Sequence, residues 1–311
     1  MKTTKFISAC AVLVALASCS SDHELSQQSA ENTPIRIQAN VGGITTRAAS
    51  NLLASSFSND DAIKVFITEN KAANNGTPSG ANYSPMVYTH DGRQFNAETT
   101  QYFPSNGNGI DVWAVYPSTV IEGAGEFTIE DNQTDNDKYK KSDLMFATKL
   151  TDQRKGNGNK INLSFTHQLS KIIVKLDKDA GVDGVLDGAV IKLTNVVKKT
   201  ALTVSGDNGI TFGALSEDEG DKGELTIGNY IPDNGTAAIV IPQTTGNMQF
   251  KVTLANGGTY TADLPDSTPK FETNKEYTFT LTLKANAITV SATINDWGEK
   301  LDKGTHDATL D

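Results

Sequence analysis

"KINLSFTHQLSKIIVKLD", residues 160–177, decides the fold. Ile161, Leu163 and Phe165 alternate with polar neighbours, and Ile172, Val174 and Leu176 continue the pattern a few residues on. A period of two places the apolar side chains on one face of an extended chain. The same alternation recurs on both sides. Upstream, Ile35, Ile37, Ala39 and Val41 alternate with Arg36, Gln38 and Asn40. AIKVFIT carries Ile63, Val65 and Ile67, and GIDVWAVYP carries Ile110, Val112, Ala114 and Tyr116. Downstream, AVIKLTN, ALTV, AAIVIP, FKVTLA, GTYTADL, EYTFTLTLK and AITVSATI read as further strands. Asp91-Gly92 in "HDGR" and Gly257-Gly258 in "ANGGTY" separate extended runs as hairpin turns do. Helical periodicity is scarce, with one short helix expected over Ser50–Phe57.

Many short strands with frequent turns predict an all-β protein built of β-sandwiches. Roughly 270 residues follow the N-terminal polar stretch, too many for one small sandwich, so two tandem domains are expected. The border is placed in KLTDQRKGNGNK, Lys149 to Lys160, a polar, glycine-rich stretch between strand-rich halves. The expected domains are residues 35–152 and 153–298, followed by a polar tail, 299–311.

The first 18 residues read as a secretory signal peptide, with Lys2 and Lys5 ahead of a short apolar run. That run is too short to cross a bilayer, which needs about 20 residues. Leu16-Ala17-Ser18-Cys19 resembles the lipobox of bacterial lipoproteins, which implies cleavage before Cys19 and a diacylglycerol on its thiol. Cys10 lies inside the removed segment, so Cys19 would be left without a disulfide partner. Residues 19–34 are polar and aperiodic and read as a lipidated tether.

The formal net charge is −10, and loss of Lys2 and Lys5 makes the remainder more acidic still. That balance excludes a nucleic-acid partner, because phosphate neutralisation needs a basic surface. The four histidines, His23, His90, His167 and His306, fall in no metal-ligand spacing, and no nucleophile elbow or phosphate loop is present. DKDAGVDGVLDG, 177–188, fails as an EF-hand because Gly181, Val182 and Gly188 occupy the positions that need an acid, a glycine and a glutamate. DNQTDND and SEDEGDKGE read as solvated acidic loops. Trp113, in an apolar strand, reads as core, and Trp297, ending the last strand, reads as a cap on a sandwich edge. No catalytic residue, metal site or cofactor is expected.

Several segments together resemble the fimbrillin family, the structural lipoproteins of type V fimbriae in Bacteroidales. They are the lipobox at Cys19, "IRIQANVGGITTRA" (35–48), "SDLMFAT", "LSFTHQLSKIIVKL" and the closing "SATINDWG", in that order. The resemblance implies two transthyretin-like β-sandwiches and no catalysis. It also implies an outer-membrane lipoprotein precursor displayed at the cell surface. An arginine-specific or trypsin-like protease then cuts after Arg47, leaving Ala48 as the new N-terminus and releasing the strand that carries Ile35, Ile37, Ala39 and Val41. The partners implied are other fimbrial subunits, one of which fills the opened groove by strand addition. Ala287 to Trp297 has two readings: the donor of that strand, through Ile288, Val290, Ala292 and Ile294, or the last strand of its own domain. The alternative to a polymerising subunit is a tip or anchor subunit that acts as an adhesin or glycan-binding lipoprotein.

Overall fold

The computed structural model describes residues 32–42, 57–215, 221–229, 235–285 and 287–297. Their strands, in chain order, are β1 (Arg36–Val41), β2 (Ala62–Asn70), β3 (Met86–His90), β4 (Phe95–Ala97), β5 (Gly109–Tyr116), β6 (Gly123–Thr128), β7 (Met145–Gln153), β8 (Lys160–His167), β9 (Ser170–Lys178), β10 (Val190–Val197), β11 (Lys199–Ser205), β12 (Gly209–Phe212), β13 (Lys222–Asn229), β14 (Thr236–Val240), β15 (Gln249–Thr253), β16 (Thr259–Asp263), β17 (Lys275–Lys284) and β18 (Ala287–Asp296). One α-helix, α1 (Asn136–Lys141), interrupts them. Cys19, Arg47 and Ala48 lie outside the described residues, as does the helix expected over Ser50–Phe57 apart from Phe57 itself.

The all-β expectation holds, and the sheets stack in a sandwich-like arrangement. A seven-stranded sheet runs in the order β1-β8-β7-β5-β2-β3-β4. It curls until β4 lies beside β1, enclosing a core that includes Ile37, Ile63, Val65, Ile110, Val112, Ile161 and Phe165. These are the alternating residues of the sequence, brought to one face by the strand's period of two. The opposite face offers Phe66, Trp113, Val115 and Phe146 to the three-stranded sheet β12-β11-β6. Trp113 is core, as its apolar strand implied, and stacks flat on Phe66 with ring centroids 3.8 Å apart. Gly206 lies so close to that indole that a Cβ there would collide with Trp113 Nε1.

The remaining sheets, β13-β10-β15-β16 and β14-β9-β17-β18, contribute Ile172, Val174, Leu225, Phe250, Phe279 and Leu281 to the larger core. Phe250 and Phe279 meet edge to face at 5.0 Å across it.

Both expected glycine turns are present. In β3–β4 the Asp91 carboxylate accepts from the backbone N–H of Arg93 and Gln94, and Gly92 adopts φ 90°. In β15–β16 the Leu254 N–H donates to the Gly258 carbonyl, with Gly257 at φ 89°.

The expected border at 152/153 falls within a hairpin. β8 lies beyond it, yet pairs with β7 on one side and β1 on the other. β6, from before it, pairs with β11 from well after it. Among the described residues the first sheet is therefore completed only at His167, and two separate cores form. Glycine and polar residues mark a hairpin loop as readily as a linker. The acidic DNQTDND stretch also differs from expectation. Asp135 caps α1 by accepting from the Lys138 N–H at 2.8 Å, and Tyr139 is buried behind it.

Candidate functional site

The first strand sits in a slot one strand wide. β1 runs parallel to β8, and their apolar residues align: Ile37 with Ile161, Ala39 with Leu163, Val41 with Phe165. Ile35, Ile37 and Val41 are buried and Ala39 is partly covered, while Arg36, Gln38 and Asn40 face outward. The entry to the slot is fastened by Ile35 N–H to the Gln101 carbonyl at 2.8 Å and Phe103 N–H to the Thr33 carbonyl at 2.9 Å. At the exit, the Gly42 N–H donates to the Phe165 carbonyl at 2.6 Å.

The side of β1 away from β8 is looser. β4 lies next to it without a ladder between them. A cleft of about 550 Å³ opens there, lined in part by Arg36, Gln38, Gln94, Asn96, Gln101 and Lys160. A second, of about 250 Å³, lies further along, against Asn40, His90, Arg93 and Asn162. Tyr88 is buried at the wall of the larger cleft, and its hydroxyl has no hydrogen-bond partner among the described residues. Burial pushes that hydroxyl's pKa up to about 12, since the phenolate would be poorly solvated there.

The four residues proposed for strand donation lie on β18, an edge strand paired with β17 over its whole length, from Lys284↔Ala287 to Lys275↔Asp296. Ile288, Val290 and Ala292 are only partly buried against the larger core, and Ile294 is 45% exposed. The structure thus places the proposed displaced and donor strands at edges of different sheets and does not bring them together.

Another edge is closed by a device that sequence periodicity does not register. β14 is paired with β9 on one side. On the other, the fully buried Gln133 side chain donates to the Ile239 carbonyl at 2.9 Å and accepts from the Ile239 N–H at 2.7 Å. Its amide does what a neighbouring strand's peptide group would do. Gln243 treats Val197 the same way, at 2.8 and 3.0 Å.

The described arginines differ in their settings. Arg36 lies within the β1–β8 ladder and Arg93 within the β3–β4 turn. Arg154 forks onto Asp152, with Nη2 2.9 Å from Oδ1 and Nε 3.1 Å from Oδ2, and Nη1 reaches the Gly107 carbonyl at 3.3 Å. The stretch after Gly42 that carries Arg47 is outside the described residues.

The fold has solved counterparts. A cell adhesion protein from Bacteroides uniformis, named as putative, superposes with a TM-score of 0.63 at 20% identity, covering 86% of this chain and 99% of that one. Another from Bacteroides ovatus gives 0.64 at 20% identity over the same shares. At this identity the likeness speaks for the fold. No curated protein matches in sequence. A family model described as fimbrillin-like matches residues 46–297, a span that begins beyond β1.

Proposed function

The chain belongs to the fimbrillin-like family, and from that premise we propose that it is a structural subunit of cell-surface type V fimbriae, made as a lipoprotein precursor and polymerised by strand exchange. Cys19 carries the lipid, and a protease cuts after Arg47. The removed piece takes Ile35, Ile37, Ala39 and Val41 with it, and a strand from another subunit fills the slot. The observation that carries this reading is the seating of β1: an apolar face pressed on β8, a ladder on one side alone, and clefts along the other. Such a strand can be withdrawn as a unit. Its loss leaves Ile161, Leu163 and Phe165 and one backbone edge of β8 in need of a cover.

β18 is the proposed donor. Its apolar residues are half used where they lie and would be fully used in the slot, which favours transfer through burial. Treating the purified precursor with an arginine-specific protease, then sequencing the new N-terminus, tests the cut. Ala48 is expected first, followed by fibres in the electron microscope. A dominant cut after Arg154, with Arg47 intact, would mean that β1 is not a removable plug. Cys19→Ala should abolish labelling by an alkyne fatty acid, and undiminished labelling would sink the anchor.

The larger cleft favours one other reading: a tip or anchor adhesin that keeps β1 and binds a polar ligand such as a glycan between β1 and β4. Fractionated cells would then yield a chain that still carries residues 35–42 on the surface.

A further inference from the structure

His167, which fits no motif in the sequence, lies at the end of β8 in a buried group away from the β1 slot. Its Nδ1 is 2.9 Å from Asp143 Oδ1, and its ring lies flat on the Trp297 indole, centroids 3.5 Å apart and planes within 2°. His167 Nε2 is buried without a hydrogen-bond partner among the described residues. Lys171 Nζ stands 6.0 Å from the same indole and is paired with Glu276 at 3.0 Å. Trp297 follows β18 directly and is 6% exposed. It caps an edge, as its place at the end of the last strand implied, but it does so against the end of the first sheet.

β18 is therefore held unevenly. At its C-terminal end, the Trp297 N–H donates to the Asn274 carbonyl at 2.9 Å, Lys275 pairs with Asp296, and the indole lies flat on the His167 ring with Lys171 Nζ 6.0 Å from its centroid. Along the rest of the strand the side chains on the core face are only partly covered. The ladder to β17 supplies backbone pairing but little side-chain burial there.

We propose that the Trp297–His167 stack is the latch that keeps β18 on its own sheet, with Asp143 as the positioning residue that orients the imidazole. Opening β18 requires the two rings to part. Because His167 ends β8, the strand that seats β1, the latch joins the strand beside the slot to the end of the candidate donor. The latch itself is independent of the strand-exchange reading. Its bearing on assembly rests on that reading.

The experiment is hydrogen exchange, peptide by peptide, on the full chain. Trp297→Ala should speed exchange across 287–296 by about 100-fold, the scale set by removing a buried aromatic, while exchange in β10 and β15 stays as it was. His167→Gln, which keeps a polar group beside Asp143 but removes the stacking ring, should act on the same peptides by about 10-fold. Asp143→Asn, which keeps a hydrogen bond to the ring, should restore most of the protection that Asp143→Ala loses. Trp297→Phe serves if the alanine variant fails to fold. Unchanged exchange in 287–296, or an equal rise everywhere, overturns the latch. If 287–296 opens as expected but fibre growth after Arg47 cleavage is no faster, the latch stands and the donor role of β18 falls.

Discussion

β1 and β18 are both edge strands with a backbone ladder on one side, and they differ in how much their side chains are buried. β1 is six residues long and buries Ile37 and Val41, with Ile35 just ahead of it, almost completely. β18 is ten residues long, fully paired to β17, and leaves its apolar face half covered. The first adds to its ladder an apolar face buried in a slot, and the second depends on its ladder and on the ring stack at one end. A strand held by side chains specifies what can replace it. A strand held by its backbone can change neighbours and repeat the same pairing elsewhere.

The contrast breaks or sharpens under measurement. The largest effect is expected from a chain that begins at Ala48. Loss of the Ile35, Ile37 and Val41 side chains, at about 1.5–3 kcal/mol each, should destabilise the first core by about 5 kcal/mol or more. Urea unfolding should show this, and a synthetic peptide of residues 33–42 should restore the midpoint. A chain as stable as the precursor would remove the basis for treating β1 as a plug.

Ile37→Ala should cost about 2–5 kcal/mol, as for a fully buried aliphatic. Gln133→Ala comes next, at about 2 kcal/mol, because it strands the buried N–H and C=O of Ile239. It should also raise self-association measured by light scattering, by opening the β14 edge. Val290→Ala should cost only about 1 kcal/mol, since its side chain is half covered. If it matches Ile37→Ala in denaturant titrations, the two strands are not held differently.

The smallest effect at neutral pH concerns Tyr88. Removing its hydroxyl, which has no partner among the described residues, with Tyr88→Phe should change stability by less than about 1 kcal/mol at pH 7. Its folded-state pKa lies above the ordinary tyrosine value, so the native state holds the proton more tightly than the unfolded chain does. The stabilising difference is complete below about pH 10 and is lost as pH rises towards about 12. Tyr88→Phe should reduce this alkaline sensitivity, and pH-dependent unfolding of the two proteins checks it.

The strands and their faces were legible in the sequence because period-two alternation has one physical meaning. Ile161, Leu163 and Phe165 point inward as their spacing demanded, and both glycine turns are where the chain needed positive φ. That the first sheet reaches past 152/153 to β8 was not legible. Local polarity cannot tell a linker from a hairpin loop, and the pairing of β6 with β11 joins residues far apart in sequence. Gln133, Gln243 and the Asp143–His167–Trp297 group were invisible for a related reason. Their roles depend on which backbone or ring the fold brings to them, and a lone Gln or His carries no periodic signal. Within the candidate site, the outline of β1 was legible, but its parallel pairing with β8 and the clefts beside it were not.

The two tryptophans have a consequence of their own. One indole lies flat on a phenyl ring, Phe66, beside the first core, and the other on an imidazole, His167, at the end of the last strand. Each indole's emission depends on the ring stacked against it and changes when the two rings part. The protein therefore carries two intrinsic optical reporters. With Trp113→Phe, the light that remains comes from the end of β18; with Trp297→Phe, it comes from the back of the seven-stranded sheet. Stopped-flow traces of the two variants would time the opening of each region, without a dye, as a protease acts on the chain.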